Sequence, residues 1–89
     1  MFKLTYFEDE FAEGEAKTFA TYDEAYYAML DQFDGAAADA GLALQPDITN
    51  GGDIFGYNDD TGESCEVGYI GEEDACLEYT EEKWTIEEE

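Results

Sequence analysis

The sequence predicts an α+β fold: an antiparallel sheet of four to six strands with one main helix packed on it, in the order ββα-βββ, as a single acidic domain over residues 1–89. Three observations lead there. Segments near both ends alternate apolar and polar residues with the period of two that a half-buried strand requires. A central segment switches to the helical period. Hydrophobic residues make up 44% of the chain, which separates it from acidic sequences too polar to bury a core.

Taken in order, Phe2, Leu4 and Tyr6 alternate with Lys3, Thr5 and Phe7, giving a first strand. The acidic segment 8–14 turns the chain, and residues 15–20 return as its hairpin partner. Thr21 with Glu24 three residues later forms a capping box, so the helix starts there. Tyr22, Ala25, Tyr26, Met29, Leu30 and Phe33 then fall on one stripe and face the core, while Asp23, Glu24, Asp31 and Gln32 face away. Two stops fit the sequence: Asp34-Gly35, or Gly41 after the helix-favouring run 36–40. Residues 42–52 hold the only proline, Pro46, and the turn-rich Asn50-Gly51-Gly52, and are expected as a connecting loop. Residues 53–57 and 64–70 flank the polar turn 58–63 as a second hairpin. Ala75, Leu77 and Tyr79 alternate with polar neighbours, and Trp84 with Ile86 repeats the pattern, giving two further short strands before Glu87-Glu88-Glu89.

The charge is extreme: 25 Asp and Glu stand against three Lys, with no Arg and no His, for a formal net charge of -22. Self-repulsion on that scale opposes compaction, and the natural partner is strongly basic. Lys3, Lys17 and Lys83 cannot supply the counter-charge that nucleic acid or an anionic membrane demands, so neither is expected as a direct partner. Catalytic groups are sparse. Without His there is no near-neutral base, and Ser64 is the only serine. The glycines form neither a phosphate loop nor a dinucleotide fingerprint. Carboxylate pairs of glycosidase type arise by chance among so many acids. The expectation is therefore a non-enzyme with no cofactor and no metal. Residues 58–63 crowd oxygens around Gly62 but lack the spacing of a calcium loop. Cys65 and Cys76 have no metal-motif spacing and in a reducing compartment are expected as small buried or half-buried thiols, with a disulfide between neighbouring strands as the alternative. Residues 1–7 lack the apolar run of a signal peptide, so a cytoplasmic location is expected.

The acids cluster in three places: Glu8, Asp9 and Glu10 with Glu13 and Glu15; Asp59, Asp60, Glu63 and Glu66; and Glu72, Glu73, Asp74, Glu78, Glu81 and Glu82. If these runs share one edge or face of a sheet, they form a stripe. Same-face carboxylates on neighbouring strands lie roughly 5 Å apart, a pitch comparable to the charge of nucleic acid. Among Tyr6, Tyr27, Tyr57, Tyr69 and Tyr79 most are expected in the core, with Tyr57, Tyr69 and Tyr79 the candidates for contact. The competing expectation is an acidic surface that serves solubility alone.

In size, in these acidic runs and in its ordered α+β pattern, the chain resembles phage-encoded DNA mimics, the anti-restriction proteins and especially the small acidic anti-CRISPR proteins. The resemblance implies an inhibitor acting in the cytoplasm of an infected cell, whose partner is a Cas effector or a restriction enzyme with a positively charged DNA site. A different class with the same electrostatics is a cellular adaptor that masks a basic protein.

Overall fold

The structure is a computed structural model that describes residues 1–8 and 13–89. Phe2–Phe7 forms β1, Glu13–Phe19 forms β2, Tyr22–Asp39 forms α1 and Leu42–Leu44 forms β3. Gly52–Asn58, Ser64–Ile70, Asp74–Leu77 and Glu82–Glu88 follow as β4, β5, β6 and β7. The strands form one seven-stranded sheet in the order β2-β1-β7-β6-β5-β4-β3. All pairings are antiparallel.

Two points correct the sequence expectation. The sheet has seven strands instead of four to six, and five of them follow the helix, against three in the ββα-βββ order and four in the segment-by-segment reading. The added strand is β3, inside the segment expected as a loop; Leu42, Ala43 and Leu44 pair with Asn58, Tyr57 and Gly56. Its turn signals belong to residues 45–51, which only begin after those three residues have been used.

The helix starts where its capping box predicts, with the Thr21 hydroxyl accepting from the Glu24 amide at 3.2 Å. It passes through Gly35 and stops at Ala40, where Gly41 takes φ 80°. Being 18 residues long, it spans about 27 Å at 1.5 Å per residue, enough to cross from β2 on one edge of the sheet to β3 on the other.

Alternation along the strands decides which side chains it covers. Leu4, Ile86 and Trp84, with Ala75, Leu77, Ile70 and Ile54, face α1 and meet Ala25, Met29, Leu30, Phe33 and Ala37 in one core. Trp84 anchors it: its ring lies 5.6 Å from Phe33 and 5.4 Å from Tyr6, and its indole N–H donates to Gln32 Oε1 at 3.0 Å. Gln32, expected to face away, is exposed yet supplies the acceptor that lets an indole be buried. A bulge between Ile54 and Phe55 lets Val67 also turn inward.

Among the described residues, no element covers the opposite face of the sheet. The N- and C-terminal strands are neighbours, Leu4 pairing with Ile86 and Tyr6 with Trp84, so the core closes only when the last strand arrives. Both cysteines are free and half-buried. Among the described residues, no helix is long and apolar enough to cross a membrane.

Candidate functional site

Antiparallel order sorts the acidic runs by the end of the sheet at which each turn falls. Phe7, Lys83, Cys76, Tyr69 and Asp53 lie in one row across five strands. Beyond that row lie Glu8 at the end of β1, the β6–β7 turn with Glu78 and Glu81, and the β4–β5 turn with Asp59, Asp60 and Glu63. Glu82 opens β7 at the same level. Each hairpin is two strands wide, so neighbouring turns sit about 10 Å apart along this rim. That spacing is comparable to the roughly 12 Å width of the B-DNA major groove, which separates two phosphate backbones.

The rim is stepped, because β4 and β5 run roughly three residues, about 10 Å, beyond the β6–β7 turn. Tyr79 steadies the step: its amide donates to the Val67 carbonyl at 3.4 Å, and its hydroxyl accepts from Asn58 Nδ2 at 3.5 Å. The projecting turn is internally ordered. Asn58 Oδ1 accepts from the amides of Asp60 at 2.8 Å and Thr61 at 3.3 Å, and the Asp59 amide donates to the Gly41 carbonyl at 2.9 Å. Among the described residues no His, Cys, Asp or Glu group is arranged to hold a metal ion.

The last contact also brings the C-terminal end of α1 to the rim. That end carries about half a negative charge from aligned peptide dipoles, and no basic residue stands in its last turn. Of the cations, Lys17 and Lys83 lie over aromatic rings, 5.3 Å from the Phe19 centroid and 5.8 Å from that of Phe7.

The uncovered face adds what the rim lacks. Phe55 and Tyr57 on β4 and Tyr69 on β5 point away from the helix, and all three are exposed, at 53%, 48% and 43%. They run as a stripe from the middle of the sheet to the projecting β4–β5 turn, with Glu66 directly opposite Phe55. The expectation that most of the named tyrosines are core is overturned: Tyr27 and Tyr79 are exposed as well, at 58% and 54%, and only Tyr6 is half-buried. Tyr6 is held by donating to Glu82 at 2.7 Å; burial, that hydrogen bond and the carboxylates of Glu82 and Glu8 push its hydroxyl up to about 12.

The third acidic run is divided by the fold. Glu72 and Glu73 in the β5–β6 turn and Asp74 at the start of β6 lie at the opposite end of the sheet from Glu78, Glu81 and Glu82. They adjoin the N-terminal turn of α1, where the Tyr22 hydroxyl donates to the Glu72 carbonyl. Asp9 and Glu10 lie outside the described residues. Sequence reasoning missed Phe55, whose place on the outward parity of β4 was visible in the alternation Ile54, Phe55, Gly56, and Tyr22 and Tyr26, which had been assigned wholly to the core.

No protein-family model matches the chain, and neither curated proteins nor solved structures yield a match.

Proposed function

We propose that the protein is a non-enzymatic inhibitor that mimics the charge of DNA and occupies the DNA-binding site of a bacterial defence nuclease, a CRISPR-Cas effector first and a restriction enzyme second. The observation that supports this best is the rim. Glu8, Asp59, Asp60, Glu63, Glu78, Glu81 and Glu82 are far apart in sequence, yet strand order gathers them on one end of a rigid sheet. A surface acidic only for solubility has no need of that convergence.

In this mechanism the rim carboxylates steer the protein to a Lys- and Arg-lined groove and pair with its cations as phosphates would. The stripe of Tyr69, Phe55 and Tyr57, running into the projecting turn, supplies the desolvated contact area that rim charges do not. Because a long acidic edge lies beside an aromatic face, the protein lies along a cleft with its turn inserted and its sheet against one wall. DNA is then excluded by occupancy.

The test is displacement of duplex DNA from a captured nuclease by the wild-type protein and by charge reversals. Asp59→Lys with Asp60→Lys and Glu78→Lys is expected to weaken displacement by two orders of magnitude or more, at about 1.5 kcal/mol or above for each close charge pair lost. Asp31→Lys with Asp39→Lys serves as the comparison. Equal losses from both sets point to an adaptor that masks basic proteins through diffuse charge.

A further inference from the structure

At the end of the sheet away from the rim, α1 and two loops enclose an open groove of about 900 Å³. It is lined by Tyr22, Tyr26 and Tyr27 of the helix and by the end of β5 at Tyr69 and Ile70. Asp23, Glu72, Glu73 and Asp74 stand around them, and no basic residue lines it. We propose that this groove is a receptor for a single arginine side chain of the protein partner, its guanidinium stacked on tyrosine and paired with the carboxylates. This deepens the proposed function, because it rests on a partner that is basic.

Two features suit the groove to this occupant, one of chemistry and one of rigidity. The first is aromatic: Tyr22 and Tyr26 stack with ring centroids 5.8 Å apart, and Tyr27 meets Tyr26 edge-on at 5.9 Å. Ring faces attract cations, and arginine above all, because its planar, weakly hydrated head stacks while its N–H fork pairs with carboxylate. The second is that the walls are fixed. Tyr26 donates to the Thr49 carbonyl at 3.0 Å and Tyr22 to that of Glu72, tying the helix to both loops.

Two glycines allow this closeness. A Cβ on Gly51, which has φ 70°, would fall 2.8 Å from the Ile70 carbonyl oxygen; one on Gly71 would fall 2.7 Å from both the Tyr69 hydroxyl and Asp74 Oδ1. The local field agrees with the occupant. Burial first, and then Tyr26 with the carboxylates of Glu72, Glu73 and Asp23, raise the Tyr22 hydroxyl above its usual range. The carboxylates' share of that rise is the negative potential that a cation relieves. A second copy of this chain is unsuited to the groove, since it brings the same net charge of -22.

The experiment is an NMR titration of the intact protein with three blocked tripeptides, Gly-Arg-Gly, Gly-Lys-Gly and Gly-citrulline-Gly, in 0.15 M salt. The account predicts saturable shifts for the arginine peptide confined to Tyr22, Tyr26, Tyr27, Tyr69 and residues 72–74. Neutral citrulline should bind at least tenfold more weakly, and Tyr27→Ala, at an exposed position, should weaken arginine about fivefold. Equal binding of lysine overturns the guanidinium assignment. Shifts that never saturate, or that spread over Asp59, Asp60 and Glu78, overturn the site. Nuclease inhibition is read separately: a groove that takes arginine in a protein that fails to displace DNA leaves the groove standing and removes the mimic.

Discussion

Trp84 shows how one residue decides whether this small core exists. It is 1% exposed, packs its ring against Phe33 and Tyr6, and has its only polar side-chain atom satisfied by Gln32. Trp84→Ala should cost about 3–5 kcal/mol in urea denaturation, a large share of the stability of a domain this size. Trp84→Phe should cost less, since it keeps a ring in the cavity and leaves only the exposed Gln32 amide to water. Tyr6 gives a prediction in pH. Its hydroxyl is raised from 10.0 to about 12. Between those values the unfolded chain releases that proton while the folded one keeps it, so stability falls as pH rises through the window. Tyr6→Phe should flatten that fall in denaturation series from pH 9 to 12; an unchanged slope would show that the hydroxyl is not held as described. The core stripe at Ala25, Met29, Leu30 and Phe33 was legible from helical spacing. Tyr57, Tyr69 and Tyr79, the expected contact candidates, are exposed; that most of the named tyrosines lie outside the core was not legible, because alternation gives two faces without saying which one a helix will cover.

At the scale of elements, the helix and its cap were the clearest signals, since Thr21 and Glu24 act within one turn. Thr21→Ala should lower stability by about 1 kcal/mol through loss of the hydroxyl acceptor, with helix content by circular dichroism otherwise kept. The strand β3 was hidden for a physical reason. Three residues carry almost no periodicity, and Leu42–Leu44 becomes a strand because α1 is long enough to deliver it to β4. The hairpin of β4 and β5 was legible through its glycine turn. Pairing of β1 with β7 was not, because nothing local in either strand names a partner some 80 residues away. That non-local pair is what sets the ends of the sheet, and therefore which acids share the rim.

Considered whole, the molecule holds its charge of -22 within extents of 42 × 27 × 16 Å. At 0.01 M salt the screening length is about 30 Å, so nearly every carboxylate feels every other; at 0.1 M it is about 10 Å. The melting temperature should therefore rise with sodium chloride across that range, the opposite of a fold stabilised by surface ion pairs. A fall would contradict the repulsion on which the electrostatic account depends. The three acidic runs were legible in the sequence as runs; that Asp59, Asp60, Glu78 and Glu81 converge while Glu72 and Glu73 do not required the strand order.

Convergence is also where the proposal is most exposed to test. The direct measurement is capture from nuclease-treated bacterial lysate on immobilised wild-type protein, followed by titration of the captured protein with duplex DNA. The account predicts one defence nuclease, displaced competitively by DNA and lost from a column carrying Asp59→Lys, Asp60→Lys and Glu78→Lys. Indiscriminate retention of basic proteins, unaffected by those reversals or equally affected by Asp31→Lys with Asp39→Lys, would contradict it.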